Sequence, residues 1–278
     1  MTDLVTTFTD IDTTYSAGND IDFSGTQINL ESTLDYVGTI NPPSGVLTIN
    51  GNISVPTNFY IGNNAAATGA SAIAIGNTAQ ATADYAVAIG YATNSNSSGT
   101  VSMGDAAAAI AVSATALGRH TYAGGVSSVA VGNEANASEY ASIAIGTVSK
   151  SNASQSIAIG NGAIATQFAD VGIGSDAQAI GSESVALGKQ AVATGWRSIA
   201  IGAGANNTAN YAIAIGYQAQ ATAQDAIAIG RGVVNDVTNS TKFGGAIYAN
   251  GNVNLTTFNV SAVNCIVFDT GGKICSGA

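Results

Sequence analysis

Ser142-Ile-Ala-Ile-Gly146 and, fourteen residues on, Ser156-Ile-Ala-Ile-Gly160 are consecutive copies of the segment that decides the fold. An aliphatic residue followed by glycine recurs along the chain and places Gly62, Gly76, Gly90, Gly104, Gly118, Gly132, Gly146, Gly160, Gly174, Gly188, Gly202, Gly216 and Gly230 in one register, without insertion or deletion. A period this strict over thirteen copies is the mark of a solenoid, in which each repeat contacts only its neighbours. One short strand and one tight turn therefore recur at the same place in every coil, and the glycine is expected to supply a positive φ as the chain leaves the strand.

The columns beside the glycine predict the cross-section. Position −3 is a β-former (Ile73, Val87, Val129, Ile143, Ile157, Val185, Ile199) and position −1 an aliphatic residue, so the two share one face of a strand. Between them, −2 is alanine in ten of thirteen coils, as in Ala74, Ala88, Ala144 and Ala158, and points to the other face. A strand apolar on both faces reads as one covered on both sides. A second strand follows, with alanine pairs at +3 and +5 (Ala79 and Ala81, Ala163 and Ala165) around a variable +4 (Gln80, Asn94, Lys150), one face inward and one toward water.

The expected coil is flattened, with Ile and Val of the first strand meeting alanines of the second in a large-against-small fit. The alanine column at −2 is then left on an outer face. Ordering fourteen residues costs ~1–2 kcal/mol each, against ~1.5–3 kcal/mol per buried aliphatic side chain. That deficit predicts association of several chains along their length through the alanine face.

Composition narrows the function classes. Seven basic against seventeen acidic residues give a net charge of −10, which disfavours phosphate backbones and anionic lipid and leaves nucleic acid out of the expected partners. No apolar run reaches membrane-spanning length, so no membrane insertion is expected. The opening MTDLVTTFTD lacks a basic segment followed by an apolar one, the pattern of a secretory signal, and fits a chain assembled in the cytosol as virion proteins are.

Four segments are expected. Residues 1–58 hold Pro42, Pro43 and Pro56, seven acidic residues and no Lys or Arg, with short strands at Val46–Asn50 and Asn52–Val55, and read as a β-rich attachment segment. Residues 59–230 are the coils. After Gly230 the register is lost, so 231–244 read as a connector, and 245–278 as a β cap whose Asp269-Thr-Gly-Gly272 turn separates two strands. Cys265 and Cys275 carry no metal-site spacing; free thiols and a bridge across the terminal hairpin both remain open.

At Ser71-Ala-Ile-Ala-Ile-Gly76, Ser142-Ile-Ala-Ile-Gly146, Ser156-Ile-Ala-Ile-Gly160, Ser184-Val-Ala-Leu-Gly188 and Ser198-Ile-Ala-Ile-Gly202 the chain resembles the head repeat of YadA-like trimeric autotransporter adhesins, in motif and period together. The resemblance implies an all-β, left-handed parallel β-roll (a β-solenoid) of about thirteen coils, assembled as a homotrimer with the first strand lining its interior. A heptad-patterned stalk, a neck motif and a C-terminal membrane barrel are not found. The same head repeat is borrowed by tail and capsid fibres of bacterial viruses, and residues 1–58 resemble a virion-attachment segment.

Candidate sites are few. Tyr85 and Tyr211 at +9, with Tyr140, Phe168 and Trp196 at +8, return to one turn of different coils, an edge of rings suited to stacking on sugars or anchoring a protein partner. His120, the only histidine, falls at a turn position with no acid–base partner. The acids of the coils (Asp84, Asp105, Glu134, Glu139, Asp170, Asp176, Glu183, Asp225) fall in different turns and form no glycosidase pair. Gly172 and Gly174 flank the repeat Ile173 with no helix after them, so they are not a phosphate cradle. Asp10 with Asp12 and Asp20 with Asp22 offer oxygens to calcium but read more simply as acidic turns, and no metal or cofactor is assigned. Asn136-Ala-Ser138 and Asn152-Ala-Ser154 match a glycosylation triplet, for which chance suffices in so Asn- and Ser-rich a chain.

The functional expectation is a non-enzymatic trimeric fibre of a virion, docked through its N-terminal segment and touching a host glycan or protein through the coils. The alternative is the head of an extracellular cell-surface adhesin. An ice-binding face would need a flat threonine ladder, whereas Thr68, Thr82, Thr166, Thr194, Thr208 and Thr222 leave several coils without one.

Overall fold

The computed structural model describes residues 21–24, 27–30, 58–244, 266–267 and 273–274. The chain divides into two units, Met1–Ser54 and Val55–Ala278. In the first, Ile21–Ser24 pairs antiparallel with Gln27–Leu30; the strands expected at 46–50 and 52–55, and the Asp10, Asp12 and Asp20 carboxylates, lie outside the described residues. In the second, Ile266–Val267 pairs antiparallel with Lys273–Ile274, while the turn expected between them and both cysteines lie outside the described residues.

The coils form two parallel ladders. Fourteen first strands, from Phe59–Ile61 to Thr241–Phe243, make one sheet, and thirteen second strands, from Ala66–Ala67 to Val234–Asn235, make the other. Every residue pairs with the one fourteen places on, as Ile143 with Ile157, Ala144 with Ala158 and Ile145 with Ile159. The parallel β-roll expected from the glycine register is thus the observed fold.

The coil is, however, turned inside out relative to expectation. Ala74, Ala88, Ala144, Ala158, Ala200 and Ala214 at −2 are fully buried, and they face Ala81, Ala137, Ala165 and Ala193 at +5 of the second strand. Ser102 at −2 and Ser95 at +5 show the facing directly, since their hydroxyls bond to each other at 2.7 Å across the interior. The aliphatic columns at −3 and −1 point outward and keep partial exposure, reaching 36% at Ile145 and 41% at Leu187. The reason is width. Turns of so few residues hold the two ladders close together, so the interior takes mostly alanine and serine, with Asn207 and Asn235 at +5 of two coils bonded by their amides to the Ile199 and Ile227 carbonyls of the first strand. The second strand does behave as expected, with +3 and +5 buried and +4 turned out.

Two turns close each coil. In the first, the +3 N–H donates to the repeat-glycine carbonyl, as Ala191 to Gly188 at 3.2 Å; in the second, +10 donates to +7, as Ala86 to Ala83 at 3.2 Å. Each has a left-handed residue just before its closing donor, at +2 (Thr78, His120, Val148) and at +9 (Tyr85, Ala141, Arg197). The remaining turn groups bond between coils, as Gly146 N–H to the Val131 carbonyl at 2.8 Å and Val148 N–H to the Asn133 carbonyl at 2.8 Å, so stacking itself satisfies the turn backbone.

The repeat glycines all lie between φ +125° and +136°, outside the left-handed well that other residues share and open in practice to glycine alone. Stacking adds a second requirement. A Cβ on Gly132 would stand 2.6 Å from the Gly146 carbonyl oxygen, so each glycine also makes room for the next coil.

The stack continues past Gly230. Val234–Asn235 pairs with Gln220–Ala221 and Thr241–Phe243 with Ile227–Ile229, so the residues expected to be a connector form a further coil ending at Gly244. Its first strand carries Lys242 where most coils have alanine, which hid it from a reading of the columns.

Candidate functional site

The turn spanning +7 to +10 forms one edge of the stack, and the five aromatic residues singled out from the sequence all lie on it. Tyr85, Tyr140, Phe168, Trp196 and Tyr211 are exposed, from 66% at Tyr85 to 38% at Trp196. The structure brings only two together: the Trp196 and Tyr211 rings meet edge-on, with centroids 4.9 Å apart and planes at 61°.

That pair is organised by charged neighbours. The Arg197 guanidinium lies over the Trp196 ring, 4.6 Å from its centroid. Arg197 is in turn fixed by Glu183 of the preceding coil, its Nε donating to Oε2 at 2.9 Å and its second nitrogen to Oε1 at 3.4 Å. This hydrogen bond, with the attraction of the carboxylate, holds the guanidinium above its usual pKa. The Trp196 backbone N–H donates to Asn210 Oδ1 at 2.9 Å. Val112 and Val126 are also exposed at +8; counting every apolar residue in that column, and not rings alone, would have found them.

Asp170 was one of several scattered turn acids in the sequence, yet its side chain is fully buried. It stands at +10, where Ser142, Ser156, Ser184 and Ser198 stand in other coils. Ser142 and Ser156 close the turn, their hydroxyls donating to the Glu139 and Ala153 carbonyls at 2.7 Å. Asp170 instead accepts from Gln167 N–H at 2.9 Å and from the Ser184 N–H and hydroxyl at 2.9 and 2.8 Å. Burial pushes its carboxyl above the ordinary carboxylate range, and these donors only partly oppose the shift. The Asp170 carboxylate is closed off from solvent.

The other candidates form no site among the described residues. His120 is an exposed left-handed residue at +2. Arg119 reaches Asn133 at 2.9 Å and Glu134 at 3.5 Å on that same edge, an exposed pair of small energetic weight. Among the described residues no group of three or more His, Asp, Glu or Cys side chains is placed to hold a metal ion, and no helix is long and apolar enough to cross a membrane.

The family model of the YadA head domain repeat, which spans two copies of the repeat, matches residues 61–76, 67–93, 123–149, 137–163, 170–191, 179–205 and 208–232. The coil array belongs to the YadA head family. YadA heads are homotrimeric surface adhesins, structural and not enzymatic in kind. No curated protein matches the chain. Within the YadA head, the columns at −3 and −1 acquire a meaning the sequence reading gave to alanine: they form a continuous aliphatic face that one chain leaves open to water. Position −2 is only the filling of the roll.

Proposed function

We propose that this chain is the shaft of a trimeric fibre whose three copies meet through the outward columns of the first strand. The observation that carries this reading is the unbroken aliphatic face from Ile73 and Ile75 to Ile227 and Ile229, two side chains wide in nearly every coil. An exposed apolar surface of that extent marks an interaction site on a soluble protein, and the −2 alanines it flanks already have partners inside the coil.

Within that reading the fibre belongs to a virion. Residues 1–58, with seven acids and no basic residue, are chemically unlike the coils and suit docking on a particle. The second reading, the head of a cell-anchored adhesin, is favoured by the family match itself. Immunogold microscopy of the native source separates them: label on particles supports the virion fibre, and label confined to the cell surface overturns it in favour of the adhesin. In both cases the exposed ring edge is the part of the molecule that touches the target surface. Replacing Tyr140, Phe168 and Trp196 together by Ala is expected to abolish adsorption while leaving the coils folded; undiminished adsorption overturns that role.

A further inference from the structure

The exposed edge has an alternation finer than a set of five rings. From Gly132 on, position +8 reads Tyr140, Ser154, Phe168, Ser182, Trp196 and Asn210. A ring stands in every second coil, and a hydroxyl or amide stands in each coil between. At ~4.8 Å per coil, residues two coils apart in this column are separated by about 10 Å along the stack. All three rings are exposed; the Trp196 ring is held by Arg197 and Tyr211, and its backbone N–H by Asn210.

Charge limits what such a strip can take. Along this stretch the +7 to +10 turns hold four charged residues, Glu139, Asp170, Glu183 and Arg197. Asp170 is buried, and Arg197 is spent on Glu183 at 2.9 Å. No unpaired cation is left to neutralise an anionic polymer. A row one side chain wide also lacks the central cluster, ringed by further contacts, on which protein hot spots depend. Flat apolar rings alternating with small hydrogen-bonding groups instead match a chain of sugars, whose C–H faces stack on aromatics while their hydroxyls seek donors and acceptors beside them.

We propose that this edge binds a neutral linear glycan, with sugar rings stacked on Tyr140, Phe168 and Trp196 and hydroxyls bonded to Ser154, Ser182 and Asn210. The inference rests on the reading of the chain as a surface-contacting fibre and names the ligand class of its ring edge. The rigid stack fixes the ring spacing before the ligand arrives, so little ordering is needed on binding.

Trp196 is the single tryptophan of the chain, so its fluorescence reports on this edge alone. The full-length protein is titrated with uncharged β-1,4-linked hexose and N-acetylhexosamine oligomers long enough to span three rings, and with a polyuronate of equal length. A shift in Trp196 emission with a neutral oligomer and none with the polyuronate is expected. Tyr140→Ala and Phe168→Ala should each weaken binding roughly three- to tenfold, with coil content and assembly mass unchanged. Equal binding of the polyuronate, or no response to any neutral oligomer, overturns the proposal. If wild-type protein adsorbs to cells through the rings yet ignores every glycan, the ligand is a protein: the fibre reading survives and this inference falls. If the ring variants lose their assembly mass, the edge is a contact between copies, and the inference falls again.

Discussion

At the scale of single residues, the backbone conformation separates positions that look alike in sequence. Gly132 sits at φ +130° with the next coil's carbonyl in the place of a side chain, so Gly132→Ala should cost at least ~3 kcal/mol through strain and displacement together. Thermal or denaturant unfolding measures it, and an unchanged midpoint would remove the second role assigned to the glycine column. Val148 is the opposite case: a β-branched residue at φ +56° in a left-handed position, where Asn is better tolerated. Val148→Asn should raise stability by about 1 kcal/mol in the same measurement, and a lowered midpoint would contradict the assignment.

Asp170 adds a pH dependence. Its folded pKa is raised, so the folded chain holds that proton more tightly than the unfolded one. The resulting stabilisation is fully present below the unfolded pKa and is lost as pH rises through the folded value. Unfolding midpoints should therefore fall across that window in the wild type, and Asp170→Ser, which restores the residue of neighbouring coils, should flatten the slope and stabilise the protein at neutral pH. A slope identical in the variant would exclude Asp170 as its source.

At the scale of the element, the glycine register and the alternating alanines of the second strand were legible because a strict period leaves one arrangement for a short parallel coil. The facing of the first strand was not. Both of its faces are apolar, and placing the larger residues inside is the ordinary inference for a wide core. A fourteen-residue coil has no such width, and Ser95 bonded to Ser102 across the interior shows how near the ladders stand. The ring edge was legible from the recurrence of +8 and +9. The burial of Asp170 was not, since an acid among serines looks solvated until the turn is seen to close over it. The two faces should respond differently to substitution. Ala144→Leu inserts bulk into a filled interior and should cost about 1–3 kcal/mol or more, whereas Ile145→Ser should leave the coil intact and weaken assembly. Circular dichroism with sedimentation distinguishes them, and the reverse pattern would restore the alanine face as the interface.

At the scale of the whole molecule, repeat energetics and assembly are one question. A coil that fills its interior mostly with alanine and serine gains little from its own core, while its aliphatic columns stay partly exposed on the first strands from Ile73–Ile75 to Ile227–Ile229. In the proposed trimer, two further copies would cover these columns. The most direct test is the mass of the full-length protein by sedimentation equilibrium, for the wild type and for Ile145→Ser/Ile159→Ser. The account predicts three times the 27.4 kDa chain mass for the wild type and a shift toward the single-chain mass in the variant; a stable, folded wild-type monomer would contradict it.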